Sequence, residues 1–205
     1  MFSTIVILIL SAGVLGAAFH FLHARYSEIC LYYGILSSFV LIPIFKLPLT
    51  FFSLIPLLLV VTYIDFEYKV IPNYLIILTG IGTYLTCYFY SLPVSILSML
   101  ILPGIYIALN LLFMPLKMLA YGAGDIKLSF FLGALFTPFQ VLQLFVISQL
   151  LAALFVIARR LFFLVRKRKA ASSTIAFGPY LAVSTLVVYI LSIPTLSAFR
   201  SILVF

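Results

Sequence analysis

Residues 48–73, PLTFFSLIPLLLVVTYIDFEYKVIPN, contain the pattern that decides the fold. The 17 residues at 48–64 carry no charge, and an aspartate follows them at once. A helix needs about 17–25 predominantly apolar residues to cross roughly 30 Å of hydrocarbon. The stretch therefore predicts a membrane-spanning helix that ends at a carboxylate, followed by a Pro-Asn break.

The rest of the chain repeats this apolar pattern. Of its 205 residues, 66% are apolar and 8% are charged, whereas a soluble domain has about 25% charged residues. The composition excludes soluble enzymes, disordered tails and nucleic-acid-binding modules. Apolar runs lie at 4–22, 29–45, 48–64, 74–91, 94–116, 127–136, 139–158 and 175–198. We predict an all-α polytopic membrane protein, a bundle of about seven or eight transmembrane helices forming one domain over residues 1–205.

Two of these runs leave a choice open. The run at 127–136 is too short to cross unaided, so it is either a tilted short span or one arm of a re-entrant hairpin with 139–158. Both alternatives leave the chain on the same side of the membrane at Arg159. The first run, within 1–22, lacks the positive segment that opens a secretory signal, so we expect a retained span.

The basic residues predict the orientation. The chain has 12 Lys and Arg against 4 Asp and Glu, and half of the basic residues follow one apolar run, at Arg159, Arg160, Arg166, Lys167, Arg168 and Lys169. Cytoplasmic loops of membrane proteins are enriched in Lys and Arg and face anionic lipids. With 159–174 in the cytoplasm, alternating spans leave only Lys46 and Arg200 outside. We expect a multi-pass membrane protein whose basic run contacts lipid headgroups.

The only two aspartates, Asp65 and Asp125, both lie at predicted cytoplasmic ends of spans. A charge at membrane depth costs about 2.5–3.5 kcal/mol or more, so it indicates a functional site. The alternative is that each marks an interface. Asp65 would then pair with Lys69 one turn later, and Asp125 would cap a helix that begins near Ile126.

The residues around the aspartates favour the functional interpretation. The residue before a proline avoids the α region, so the backbone opens at Ile71-Pro72. Gly122 and Gly124 precede Asp125, and glycine allows a second chain to approach closely. Interrupted backbone near the membrane must be buried in protein or line a water-filled cavity. We therefore expect one polar cavity that holds both carboxyl groups.

Two carboxyl groups that share a water can hydrolyse a peptide bond. Because like charges at short distance do not readily coexist, the pair holds one proton between them. The ionised carboxylate takes a proton from water, and the protonated one polarises the scissile carbonyl. This chemistry requires no metal and no cofactor.

Three motifs in this order resemble the type IV prepilin leader peptidases, membrane aspartyl proteases of the GxGD class. They are Asp65 followed six residues later by Ile71-Pro72, then Gly122-Ala123-Gly124-Asp125 with Lys127, and last Ala176-Phe177-Gly178-Pro179-Tyr180-Leu181. The resemblance covers about 55–185, which we take as the peptidase core, and matches 1–54 only vaguely. It implies that Asp65 and Asp125 are the catalytic pair. The residues that would shape the site or bind substrate are Pro72, Gly122, Gly124, Lys127, Gly178 and Pro179.

The resemblance also implies a substrate, and this chain departs from the family in one respect. The implied substrate is a prepilin or pseudopilin, cleaved at the cytoplasmic face of the bacterial inner membrane after the Gly that ends a short basic leader. The product would begin with Phe or Met. Larger family members carry paired CxxC motifs after the first span and N-methylate the product with S-adenosylmethionine. The corresponding break here, at 23–28, holds no cysteine. This departure excludes a structural zinc site and predicts a short, peptidase-only form.

Two other functions fit the sequence less well than a leader peptidase does. A presenilin-like GxGD protease is disfavoured because the chain has Phe-Gly-Pro where those proteins have Pro-Ala-Leu. A small transporter would show internal pseudo-symmetry and mid-membrane carboxylates, and neither is evident. His20 and His23 supply too few ligands for a metal. Asn110, inside the run at 94–116, is expected to be an interhelical hydrogen-bond partner.

Overall fold

A computed structural model describes residues 9–15, 18, 32–36, 38–39, 51–89, 92, 94–116, 121–165 and 176–203. Regular structure in this part of the chain is helical throughout, which confirms the predicted all-α class. Short helical segments occupy 9–15 and 32–36. The longer helices are α1 (Phe51–Tyr68), α2 (Asn73–Phe89), α3 (Ile96–Phe113), α4 (Ala123–Gly133), α5 (Pro138–Val165) and α6 (Gly178–Leu203), with a 3-10 turn at Met114–Leu116 after α3.

Three of the described helices, α1, α3 and α5, are long and apolar enough to cross a membrane. α6 contributes a shorter apolar stretch, Gly178–Ser192. Two helix limits differ from the apolar runs in a way that concerns the aspartates. α1 continues beyond residue 64, so Asp65 lies within its last turn, and α4 begins at Ala123, so Asp125 lies within its first. The apolar runs miss these two turns because each turn contains an aspartate.

The helices pack around a core that runs through α1, α2, α4 and α6. α1 lies against α2 and α6, and α5 packs on α3 and α6. α4, 11 residues and therefore roughly 16 Å long, packs mainly on α2 and α3 and touches α6. It is thus held by helices other than α5, the proposed second arm of a re-entrant hairpin. The predicted basic run at 166–169, both histidines and the break at 23–28 lie outside the described residues.

Close glycine contacts place α4 against its neighbours. A Cβ added at Gly133 would lie 2.6 Å from the backbone oxygen of Ser98 in α3. A Cβ at Gly80 in α2 would lie 2.7 Å from the ring of Phe131 in α4. Real Cβ atoms do not approach so closely, so α4 can pack at these distances only because both positions are glycine. The position of Asp125, ten residues or fewer from both contacts, depends on this packing.

Gly133→Ala is therefore expected to destabilise the protein. The added methyl group meets backbone, which cannot rotate away, and overpacking of this kind costs about 1–3 kcal/mol. The measurement is the thermal unfolding midpoint in detergent. Gly104→Ala is the matched control, because a Cβ at Gly104 in α3 meets nothing within 4 Å. Equal midpoints for the two variants would contradict the packing described here.

One half of a capping box lies between α4 and α5. Thr137 precedes the helix, Pro138 is its first residue, and the backbone N–H of Thr137 donates to Gln140 Oε1 at 2.9 Å. The Thr-Pro-Phe-Gln sequence thus supplies the N-cap residue, a proline where no N–H is needed, and the side chain that reaches back. This connection is stabilised locally and lies apart from the aspartates.

Candidate active site

Asp65 and Asp125 line one cavity of about 370 Å³. Its walls come from the end of α1, the connection to α2, and the beginning of α4. Six of the eight predicted site residues line it. The complete lining is Asp65, Lys69, Val70, Ile71, Pro72, Asn73, Gly122, Ala123, Gly124, Asp125 and Lys127. The chain thus brings its only two aspartates together.

The carboxylate of Asp65 is held by the beginning of α6. The side chain is 4% exposed, and its Oδ2 accepts the backbone N–H of Gly178 at 2.8 Å. Gly178 is the first residue of α6, so this N–H has no partner within the helix and lies at the positive end of the helix dipole. A Cβ at Gly178 would lie 2.9 Å from the same oxygen. Glycine is needed here for close approach.

Asp125 is the third residue of α4 and reaches back to the start of the helix. Its Oδ2 accepts the backbone N–H of Gly122 at 3.2 Å, which is one half of a capping box. The side chain is 8% exposed, and Oδ1 is buried without a hydrogen-bond partner among the described residues. Asp125 is therefore not the N-cap that the alternative interpretation predicted, because the helix begins earlier and Gly122 is its N-cap. One oxygen of the Asp125 carboxyl group is left without a partner among the described residues.

Burial shifts the ionisation of Asp125, which lies outside the three long apolar helices. Desolvation raises the pKa of this carboxyl, the charge of Asp65 raises it further, and the Gly122 N–H lowers it, with a net value of about 7. Burial and a like charge disfavour the ionised carboxylate, whereas the hydrogen bond from Gly122 favours it. Asp125 therefore exchanges its proton near neutral pH, as a general acid or base must.

The connection from α1 to α2 forms one wall of the cavity. Lys69 follows α1 with φ at 57°, the left-handed region, which costs a non-glycine residue about 1–2 kcal/mol. Its ammonium donates to the carbonyl oxygen of Phe66 at 2.8 Å, and its charge lies near enough to attract the carboxylate of Asp65. Gly124 fits against this wall: a Cβ there would lie 3.0 Å from Ile71 Cβ.

A polar contact crosses the mouth of the cavity. The Lys127 ammonium donates to Asn73 Oδ1 at 3.0 Å, and both side chains are exposed. This contact links the first turns of α4 and α2. Asn73 was met in the sequence only as part of the Pro-Asn break, and nothing in the pattern marks it as a partner of Lys127.

The environments of Pro72, Pro179 and Asn110, which the sequence also singled out, differ from one another. Pro72 lines the cavity, and its carbonyl accepts the Leu75 N–H at 3.1 Å. Pro179, in the first turn of α6, is outside the cavity lining. Asn110 exchanges two hydrogen bonds with the backbone of Tyr121, at 2.9 and 3.0 Å. Asn110 therefore bonds to the backbone of the connection before α4.

The comparison with known families decides the classification. The type IV leader peptidase family matches residues 52–157, just over half of the 205-residue chain. This chain belongs to the type IV leader peptidase family. The predicted resemblance is thereby confirmed. Both aspartates of this leader peptidase lie within the matched range, whereas Gly178 lies beyond it. Curated proteins and solved structures gave no match.

Family membership establishes the general activity of this leader peptidase. It is a protease of the membrane, and its family takes prepilin-type substrates. Within the described residues, no three His, Cys, Asp or Glu side chains are grouped as metal ligands. The groups that the cavity offers for chemistry are the two carboxyl groups and the ammonium groups of Lys69 and Lys127.

Proposed function

We propose that this leader peptidase is an aspartic endopeptidase that removes the leader of a prepilin or pseudopilin at the cytoplasmic face of the inner membrane. It acts after the glycine that ends the leader, with Asp65, Asp125 and a water. The observation that carries the proposal is the shared cavity: two buried carboxyl groups from separate helices line a space of about 370 Å³. A structural role for either aspartate alone would not require the other.

The surroundings of the two carboxyl groups suggest different roles. The N–H at the start of α6 bonds to Asp65 at 2.8 Å and favours its ionised form. Asp125 has a pKa of about 7 and one oxygen without a partner among the described residues. The single proton of the pair therefore belongs on Asp125. Asp65 is assigned as the general base and Asp125 as the general acid.

The reaction then proceeds with all protons accounted for. Asp65 takes a proton from the water as its oxygen attacks the scissile carbonyl carbon, and Asp125 gives its proton to the carbonyl oxygen. The resulting gem-diol collapses when Asp65 passes its proton to the leaving nitrogen and one hydroxyl returns a proton to Asp125. Carboxylic acid and amine leave, and both aspartates recover their initial states.

The glycines at the cavity edge suit a peptide substrate. Gly122 is exposed, and its side-chain-free backbone borders Asp125, so an extended chain can lie against it. Membership in the leader peptidase family disfavours both a transporter and a presenilin-like protease. Placement of the site in the cytoplasm is supported by the concentration of Lys and Arg in the loops on that side.

The test is co-expression of the full chain with a candidate prepilin. We expect the pilin to shorten on a gel and its new amino terminus to begin with Phe or Met directly after a glycine. Mass analysis should show no added methyl group, because the chain lacks the cysteine-rich insert. If every candidate prepilin keeps its leader, the proposed activity is refuted. A methylated terminus formed by the purified enzyme would refute the peptidase-only form.

The rate of cleavage should fall above neutral pH. Asp125 must hold a proton to act as the acid, and this proton is lost as the pH rises through about 7. A single essential proton gives a loss of about tenfold per pH unit on the alkaline side. The measurement is kcat/KM of the purified enzyme between pH 6 and 9. Enzyme held at pH 9 and returned to pH 7 should regain full activity, and a flat profile would contradict the assigned roles.

A further inference from the structure

α3 supplies no residue to the lining of the cavity. It nevertheless contacts Tyr121, in the connection that leads into α4 and Asp125. The amide of Asn110 forms two hydrogen bonds with one backbone unit. Tyr121 N–H donates to Asn110 Oδ1 at 2.9 Å, and Asn110 Nδ2 donates to the Tyr121 carbonyl at 3.0 Å. An amide used in this way replaces a backbone partner that an isolated connection lacks.

Tyr106 contacts the same residue through its side chain. It precedes Asn110 by one turn of α3, so the two side chains share a face of the helix. Its ring is fully buried and stacks on the ring of Tyr121, with centroids 4.2 Å apart and planes at 23°. Tyr121 is therefore fixed at both its backbone and its ring by adjacent turns of one helix.

The residue that α3 fixes leads directly to both carboxyl groups. Tyr121 precedes Gly122, whose N–H bonds to Asp125. The Tyr121 ring packs edge-on against Phe177 at 5.1 Å, and Phe177 precedes Gly178, whose N–H bonds to Asp65. Tyr106 also contacts Phe177, at 5.7 Å. The aromatic triad Tyr106, Tyr121 and Phe177 thus joins the two backbone segments that donate to the aspartates.

We propose that Asn110 and Tyr106 are positioning residues that set the placement of the two carboxyl groups by holding Tyr121. This inference rests on the proposed aspartic protease function. Neither side chain lines the cavity, so both act through the backbone at Gly122 and Gly178. Catalytic groups displaced by about 1 Å can lose on the order of 100-fold in rate. Loss of the Asn110 contacts frees Tyr121 and Gly122 at the start of α4, where glycine gives the backbone little intrinsic rigidity.

Asn110→Ala is expected to lower kcat at least tenfold while KM stays within twofold. Gln140→Ala is the matched control. It also removes an amide that accepts a backbone N–H next to a helix start, but at the capping box of α5 and outside the cavity. Its kcat should stay within twofold. Equal kcat values for the two variants, with equal losses of thermal stability, would overturn the positioning role of Asn110.

The Tyr106 variants test the ring contact separately. Tyr106→Phe keeps the ring that stacks on Tyr121 and should retain kcat within about threefold. Tyr106→Leu keeps apolar bulk without the stacked ring and should lose at least tenfold. If Leu and Phe behave alike, the ring contact has no positioning role. Asn110→Gln, which keeps the amide on a side chain one methylene longer, replaces Asn110→Ala should that variant fail to accumulate, with the same expected loss of kcat.

Hydrogen–deuterium exchange separates this inference from the proposed function. Backbone amides at 121–122 should exchange at least tenfold faster in Asn110→Ala than in the parent, and at an unchanged rate in Gln140→Ala. This result requires no substrate. If the parent cleaves no prepilin but exchange accelerates as expected, the proposed function fails and the support by Asn110 stands. Unchanged exchange in Asn110→Ala would overturn the inference whatever the activity.

Discussion

Asp65→Asn and Asp125→Asn are each expected to reduce prepilin cleavage at least about 10³-fold, to the limit of detection. Asparagine has nearly the same shape as aspartate but neither takes up nor releases a proton at working pH. The Asp65 variant would lose the proposed base that activates the water. The Asp125 variant would lose the proposed acid that protonates the scissile carbonyl. Because both roles belong to one proton cycle, the double variant should be no worse than either single variant.

Folding should survive these replacements. An asparagine oxygen can still accept the N–H of Gly178 at position 65 and the N–H of Gly122 at position 125. In Asp65→Asn, removal of a buried charge also lowers the desolvation cost of the folded state. The variants should therefore accumulate in the membrane at parental levels, measured by immunoblot beside the cleavage assay.

Glu67→Gln is the matched control for the aspartate variants. Glu67 is a carboxylate two residues from Asp65, but it is exposed and does not line the cavity. Its cleavage rate should stay within about twofold of the parent. Normal processing by either aspartate variant, or an equal loss in Glu67→Gln, would remove the assignment of the catalytic pair.

Gly178→Ala is expected to lower kcat about 10- to 100-fold with the fold intact. The new methyl group would lie 2.9 Å from Asp65 Oδ2 and 3.2 Å from its Cβ, so the carboxyl group must move away from the N–H that now holds it. Gly178 has no positive φ, so alanine suits the backbone and the conflict falls on Asp65. A displacement of the general base by a few tenths of an ångström or more reduces rate rather than binding.

The measurements for Gly178→Ala are kcat, KM and the thermal unfolding midpoint of purified enzyme. Gly104→Ala introduces the same change in α3, where the new Cβ meets nothing within 4 Å, and should leave kcat unchanged. A Gly178→Ala enzyme with parental kcat would show that the contact between α6 and Asp65 is dispensable. A shared loss in both variants would point to a general effect on the helices.

The sequence alone determined the class of this protein and the positions of its candidate acids. An 8% charged composition and uncharged runs near 20 residues leave helices as the structure that satisfies every backbone group in lipid. The aspartates could be singled out because the 205 residues contain only two, and both lie at the ends of apolar runs. The Pro-Asn and Gly-Ala-Gly patterns beside them predicted interrupted backbone next to a cavity.

Helix limits were predicted less well at the two positions of interest. Apolar runs end at the first charge, whereas a helix ends where its hydrogen bonds do. Asp65 therefore lies inside α1, and Asp125 inside α4. Asn110 was correctly expected to form a hydrogen bond, and two of its bonds go to the backbone of Tyr121. A polar residue in an apolar run indicates that its side chain needs a hydrogen-bond partner, but the sequence does not identify that partner.

Only the tertiary structure decided which groups meet. The bond from Gly178 to Asp65 joins residues 113 positions apart, and Lys127 and Asn73 are 54 apart. Such pairs depend on how α1, α2, α4 and α6 pack, and that packing follows from side-chain shape across several helices at once. Hydrophobic pattern fixes which residues enter the membrane because each residue contributes almost independently. Contacts between distant residues depend on all of them together, so they were settled by the fold.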